Sequence, residues 1–124
     1  MADNIHLTEA EEKLANLIWR EAPIASPKLA VLAEQEMAWK RTTTYTILKK
    51  LCGKQVFQNE NANVTALLTR EEQTARESRR YVENAFGGSL PRFIASFIGG
   101  GRLTAAQARE LRRLIDEHEE EANG

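Results

Sequence analysis

Trp39-Lys40-Arg41-Thr42-Thr43-Thr44-Tyr45-Thr46-Ile47-Leu48-Lys49-Lys50-Leu51-Cys52 is the segment on which the reading of this chain turns. Over Arg41 to Leu51, Thr44, Ile47, Leu48 and Leu51 recur at i, i+3, i+4 and i+7, which predicts a helix with that stripe buried. The opposite face then carries Thr42, Thr43, Tyr45, Thr46, Lys49 and Lys50. From Lys40 to Lys54 there are five basic residues and no acidic one, although the whole chain has a formal charge of -1. Positive charge is therefore placed locally, as a helix that reads DNA requires. An ordinary amphipathic helix with a solvated face is the alternative. Four threonines in five residues argue against it, because threonine is a mediocre helix former and a surface helix chosen for stability would use Glu, Lys or Ala.

Upstream, Thr8 with Glu11 three residues on forms a capping box, and Ala10, Leu14, Leu17 and Ile18 mark an apolar stripe ending near Arg20. Ala22-Pro23 breaks that helix. Ser26 is expected as the N-cap of a second helix, with Pro27 at its first position, running through Leu29, Ala30, Leu32 and Ala33 to about Glu36. Trp39, in the short connection that follows, is expected to plug the core between helices. Three short helices with a brief turn before the third make a helix-turn-helix arrangement. Downstream, Val56-Phe57-Gln58 and Val64 to Leu68 are strand-like runs flanking Asn59-Glu60-Asn61-Ala62-Asn63, whose Asn content suits a tight reversal. Three helices followed by a hairpin predict a winged helix over residues 1–69.

Residues 70–124 read as wholly helical. Thr69 and Glu72 make a second capping box, opening a helix that carries Tyr81, Val82, Ala85 and Phe86 before Gly87-Gly88 stops it. Ser89 caps a shorter helix with Phe93, Ile94, Phe97 and Ile98, stopped by Gly99-Gly100-Gly101. Thr104 and Gln107 form a third box, leading to Leu111, Leu114 and Ile115 on one face of a last helix that ends in the acidic run Glu117 to Glu121. Short helices joined by glycines enclose little core alone, so the large apolar groups imply a second layer, supplied most simply by the same segment of another chain. The other reading is that these helices fold back on the N-terminal part of their own chain.

Composition narrows the function. No apolar run approaches membrane-spanning length, and Met1-Ala2-Asp3-Asn4 lacks the basic-then-apolar pattern of a signal peptide, so a cytoplasmic protein with no direct membrane insertion is the default. A single cysteine, Cys52, excludes an intramolecular disulfide and any multi-cysteine metal site, and its place at a helix end suits a small buried hydrophobe better than a redox sensor. His6 and His118 have Ala2, Ala10, Leu114 and Ala122 at helical spacing, so neither has a metal-ligand partner there. Glu119, Glu120 and Glu121 read as a solvated helix end. Gly99 to Gly101 lacks the preceding strand of a phosphate-cradling loop, and serine and cysteine have no visible base partner. No catalytic site, metal site or cofactor is expected.

Leu7-Thr8-Glu9-Ala10-Glu11, Leu17-Ile18-Trp19, Trp39, Thr43-Thr44-Tyr45-Thr46 and Leu48-Lys49-Lys50-Leu51 together resemble the penicillinase repressor family. So do Thr69-Arg70-Glu71-Glu72, Phe86-Gly87-Gly88-Ser89-Leu90, and the closing Leu103 through Leu111-Arg112-Arg113-Leu114-Ile115. The resemblance covers nearly the whole chain in order; each motif is soft alone, and their succession and spacing are the specific part. It implies a homodimeric repressor with an N-terminal winged helix and a C-terminal helical dimerisation domain, bound to palindromic operators ahead of antibiotic-resistance or metal-handling genes. On this chain it puts Thr42, Thr43, Tyr45 and Thr46 against the major groove and Lys40, Arg41, Lys49 and Lys50 on phosphates, where phosphate contacts fix register and base-edge contacts discriminate sequence. The apolar groups Tyr81, Phe86, Phe93, Ile94, Phe97, Ile98, Leu111, Leu114 and Ile115 are the expected dimer contact.

The chain departs from the family pattern in two places. Tyr45 stands where relatives often carry a basic residue, which favours contact with a thymine methyl or a phosphate over bidentate guanine reading. Gln58 to Thr65 is a short wing without Lys or Arg, so it is expected to be mostly structural. The family's resistance branch further implies release by proteolysis, triggered by a membrane sensor with a zinc-protease domain, at the position matching the Ser96–Phe97 bond. The cysteine-pair motif of the copper-responsive branch is missing, which argues against direct metal sensing. Two rival readings stay open: a winged helix that serves only as a protein dimeriser, favoured by the net charge and the cation-free wing, and a regulator responding to a small molecule in a cleft between its domains.

Overall fold

A computed structural model describes residues 4–120, so most of the Met1–Asn4 segment, and Glu121 at the end of the acidic run, lie outside the described residues. The elements in order are α1 (Glu9–Glu21), β1 (Ile24–Ala25), α2 (Ser26–Met37), α3 (Arg41–Gly53), β2 (Phe57–Glu60), β3 (Asn63–Ala66), α4 (Arg70–Phe86), α5 (Leu90–Gly99) and α6 (Ala105–His118). They form two compact units, the first ending at Tyr81 and the second beginning at Val82.

The first unit is a winged helix. The capping box at Thr8 forms as expected: the Glu11 N–H donates to Thr8 Oγ1 at 3.2 Å and the Thr8 N–H to Glu11 Oε1 at 2.9 Å. Leu14, Leu17 and Ile18 of α1, Leu29 and Ala33 of α2, and Leu48 and Leu51 of α3 converge on one core closed by Val56, Phe57 and Val64. Trp39 packs on the edge of this core and stays half-buried, so it flanks the helices where the sequence suggested a plug.

The second helix begins differently from the sequence expectation. Its N-cap is Ala25, without a side-chain capping bond, and Ser26 is its first residue. The reason is a two-residue strand that the sequence reading missed. β1 pairs antiparallel with β3, Ile24 opposite Val64 and Ala25 opposite Asn63, and the Ser26 N–H donates to Ala62 O at 2.8 Å. That amide is already satisfied by the sheet, and the Ser26 side chain is buried. The sheet order is β1-β3-β2.

The wing is a two-residue hairpin. Asn61 and Ala62 both have positive φ (54° and 61°), the requirement of a tight primed turn, so the strands reach further into the Asn-rich stretch than its composition suggested. Strand residues β2 57–60 and β3 63–66 replace the expected runs 56–58 and 64–68. Val56 O instead accepts from the Leu67 and Leu68 N–H groups at 2.8 and 3.2 Å, just outside the ladder.

In the second unit, Gly87 and Gly88 take left-handed conformations (φ 59° and 83°), and the Gly88 N–H donates to Val82 O, ending α4 as a glycine C-cap does. Ser89 Oγ accepts from the Arg92 N–H at 3.2 Å and Thr104 closes a capping box with Gln107, both as expected. Helix α6 stops at His118, just inside the acidic run that begins at Glu117. Phe86, Phe93 and Phe97 form a chain of tilted rings with centroids 5.6 and 6.3 Å apart. No residue of α5 or α6 is buried.

Candidate DNA-binding surface

Helix α3 is placed by its buried side: Thr44, Leu48 and Leu51 are fully covered, while Ile47 is only partly so. Rotation about the axis is thereby set, and Lys40, Arg41, Thr42, Thr43, Thr46, Lys49 and Lys50 stand exposed. Thr42, Thr46 and Lys49 follow one another at i, i+4 and i+7, with Thr43 and Lys50 alongside, so hydroxyls occupy the first half of the face and ammonium groups the second. Tyr45 is half-buried against the core, and its ring lies 5.7 Å from the Arg41 guanidinium carbon, a cation–π contact that braces both side chains. It borders the face more than it crowns it.

The helix has no acidic residue in its first turn, and its N-cap, Lys40, makes no side-chain capping bond. Exposed backbone N–H groups at a helix N-terminus carry partial positive charge, so the dipole and the Lys40 and Arg41 cations add at the same end. One oddity is Thr44 Oγ1, which is buried and has no hydrogen-bond partner among the described residues.

Lys54, the last cation of the acid-free stretch, does not join the outward face. Its ammonium turns inward, donating to Glu11 Oε1 at 2.6 Å and to His6 O at 2.7 Å. Burial pushes the Glu11 carboxyl up, but the Lys54 and Thr8 hydrogen bonds outweigh it and hold the group below the usual carboxylate range. The Arg76 guanidinium donates to Lys54 O at 2.9 Å and to Gln73 Oε1 at 2.7 Å, and Gln73 Nε2 reaches Ile5 O at 2.9 Å. This polar joint fastens the end of α3 to α1, to the irregular segment at Ile5 and His6, and to the first turns of α4. The capping box hinted at one member, Glu11; its pairing across 43 residues with Lys54 had no local signal.

The wing offers DNA little. Asn59 to Asn63 is exposed, carries no cation and includes Glu60. Cys52 is partly buried against the core, and burial pushes its thiol up, away from the thiolate that redox chemistry needs. Among the described residues no group of His, Cys, Asp and Glu could hold a metal ion, and no helix is long and apolar enough to cross a membrane.

Of the residues assigned to subunit contact, Phe97 and Ile115 are 68% and 61% exposed, Tyr81, Ile98 and Leu114 are also exposed, and Phe86, Phe93, Ile94 and Leu111 are half-covered. Phe93, Ile94, Phe97, Ile98, Leu103 and Leu111 line an apolar groove of about 360 Å³ in the second unit. Ser96, like Phe97, is exposed in the middle of α5.

No curated protein matches the chain. A family comparison matches the penicillinase repressors over residues 7–117, which takes in the winged helix and all three C-terminal helices. The chain belongs to the penicillinase repressor family, a family of transcriptional repressors and not of enzymes.

Proposed function

We propose that this protein is a cytoplasmic homodimeric repressor that binds palindromic DNA operators, with α3 as the reading helix of each protomer. The observation that carries the reading is the exposed face of α3, where Thr42, Thr43 and Thr46 lead into Lys49 and Lys50 with no carboxylate among them. Threonine hydroxyls and methyls suit base edges in the major groove, and the four exposed cations Lys40, Arg41, Lys49 and Lys50 suit the flanking phosphates. Tyr45, braced by Arg41, is suited to a thymine methyl or a phosphate at the edge of the contact.

Residues 70–124 serve as the dimerisation segment. Helices with large apolar groups and no buried residue cannot be stable as they stand, and a second copy laid on Phe93, Ile94, Phe97, Ile98, Leu111, Leu114 and Ile115 supplies the missing layer, with Tyr81 and Phe86 at its margin. Two reading helices on one operator act at high effective concentration, so separating the protomers weakens binding without touching α3. Cleavage of the Ser96–Phe97 bond, triggered by a membrane sensor metalloprotease, would do that by cutting the aromatic helix. The regulated genes would then be those of antibiotic resistance.

The test is a titration of a palindromic family operator at a series of salt concentrations, for wild type and a Lys49→Gln, Lys50→Gln variant. Each phosphate contact contributes about 0.9 to the slope of log K against log salt, so removing four cations per dimer lowers the slope by about 3 to 4. A dimeriser that does not read DNA would give no salt-dependent binding, and equal slopes for both proteins would remove Lys49 and Lys50 from the contact.

A further inference from the structure

Both tryptophans of the chain, Trp19 and Trp39, line one cleft of about 780 Å³ that lies wholly within the first unit. Its volume is in the range of about 300–1,000 Å³ that small-molecule sites occupy. Leu17 and Met37 complete its apolar lining. Three cations and one carboxylate also face it, and their pairings differ. Arg20 is neutralised where it stands, since its guanidinium donates to both carboxylate oxygens of Glu36 and to Glu21. Among the described residues, Arg70 and Lys13 have no carboxylate partner.

Arg70 is held in place by contacts that leave its charge unmet. Its Nε and Nη2 donate to the single amide oxygen of Asn16 at 3.2 and 3.0 Å, and its guanidinium carbon sits 5.2 Å from the Trp19 ring centroid. A guanidinium has five N–H donors; two go to Asn16, which leaves three without a protein acceptor among the described residues. The Trp19 indole is itself fixed by donating to Leu68 O at 2.9 Å and by the Phe57 ring at 5.3 Å. Lys13 lies one turn before Asn16 and Leu17 on α1 and makes no ion pair or hydrogen bond among the described residues.

We propose that this cleft is a binding site for a small planar aromatic carboxylate, whose ring lies against the tryptophans and Met37 and whose carboxylate is taken by Arg70 with Lys13. A planar carboxylate matches the guanidinium fork, and a preorganised arginine loses little freedom on binding it. A flat ring suits indole and thioether surfaces. Trp39 immediately precedes Lys40, the N-cap of α3, so an occupant bears on the start of that helix. The assignment stands independently of the DNA-binding reading.

The tryptophans provide the assay. 4-Nitrobenzoate, a quencher of indole emission, is titrated into the full-length protein without DNA at constant ionic strength, with N-acetyltryptophanamide correcting for absorption and collisional quenching. Expected are saturable quenching, binding of 4-nitrobenzamide weaker by about tenfold or more, and a similar loss of 4-nitrobenzoate affinity in the Lys13→Gln, Arg70→Gln variant. Linear quenching like that of the free indole would overturn the site. Equal affinity for acid and amide, a comparison that needs only wild type, would overturn the role of the cations. Competition by inorganic phosphate at the same concentrations as 4-nitrobenzoate would reduce the cleft to a simple cationic patch and overturn the aromatic specificity.

Discussion

Replacing Lys54 by methionine tests the polar joint at the end of α3. The Glu11 side chain is 3% exposed and that of Lys54 18%, so the pair sits largely under the surface. In the variant, Glu11 keeps the Thr8 N–H and loses its cation, leaving a buried, largely uncompensated carboxylate. Breaking a buried pair from one side costs about 3–5 kcal/mol, and the partial exposure of Lys54 puts the loss near the lower end, about 3 kcal/mol at pH 7. Urea unfolding followed by tryptophan emission reads this directly, because Trp19 and Trp39 both belong to the first unit. The pH dependence supplies a second reading. In wild type the Glu11 pKa lies below the unfolded value of 4.5, so its contribution is present above pH 4.5 and lost as pH falls through the depressed folded value. Without Lys54, two of the influences that lower the folded pKa are gone while burial remains, so it rises from its depressed position and the penalty is largest at neutral pH and shrinks on acidification. Adding Glu11→Leu to the variant should restore much of the loss. A Lys54→Met protein within about 0.5 kcal/mol of wild type at pH 7 would refute the reasoning and mark the pair as solvent-screened.

Thr44→Val removes the one buried hydroxyl on α3 that finds no partner, and should raise stability by about 1 kcal/mol in the same urea assay while leaving operator affinity unchanged, since the residue faces the core. Ala62→Gly relieves a left-handed alanine in the wing turn and should add about 0.5–1 kcal/mol; a loss of stability would contradict the turn geometry. Phe97→Glu should give a monomer by sedimentation velocity at concentrations where wild type is dimeric, with the tryptophan emission of the first unit unchanged.

The helices of both units were legible because their signals are local. Thr8, Thr69 and Thr104 each announce a capping box three residues ahead of its partner, and all three boxes form. The rotation of α3 followed from Thr44, Leu48 and Leu51 at helical spacing. What escaped the sequence reading depends on contacts between distant segments. β1 is two residues long and exists because β3 lies beside it; nothing in Ile24-Ala25 alone marks a strand. The inward turn of Lys54 has no local mark because its partner is on α1. The half-burial of Tyr45, and the cleft shared by Trp19, Trp39 and Arg70, arise in the same way, from helices that meet only in three dimensions.

The most direct test of the central claim is selection of duplexes from a randomised pool by the full-length protein, repeated with a Thr43→Ala, Thr46→Ala variant. The account predicts enrichment of an inverted repeat whose two half-sites are read alike, with the variant losing preference at particular base positions while retaining salt-sensitive binding to random duplex. Enrichment of a single unrepeated site, no enrichment at all, or an unchanged motif with the variant would contradict it.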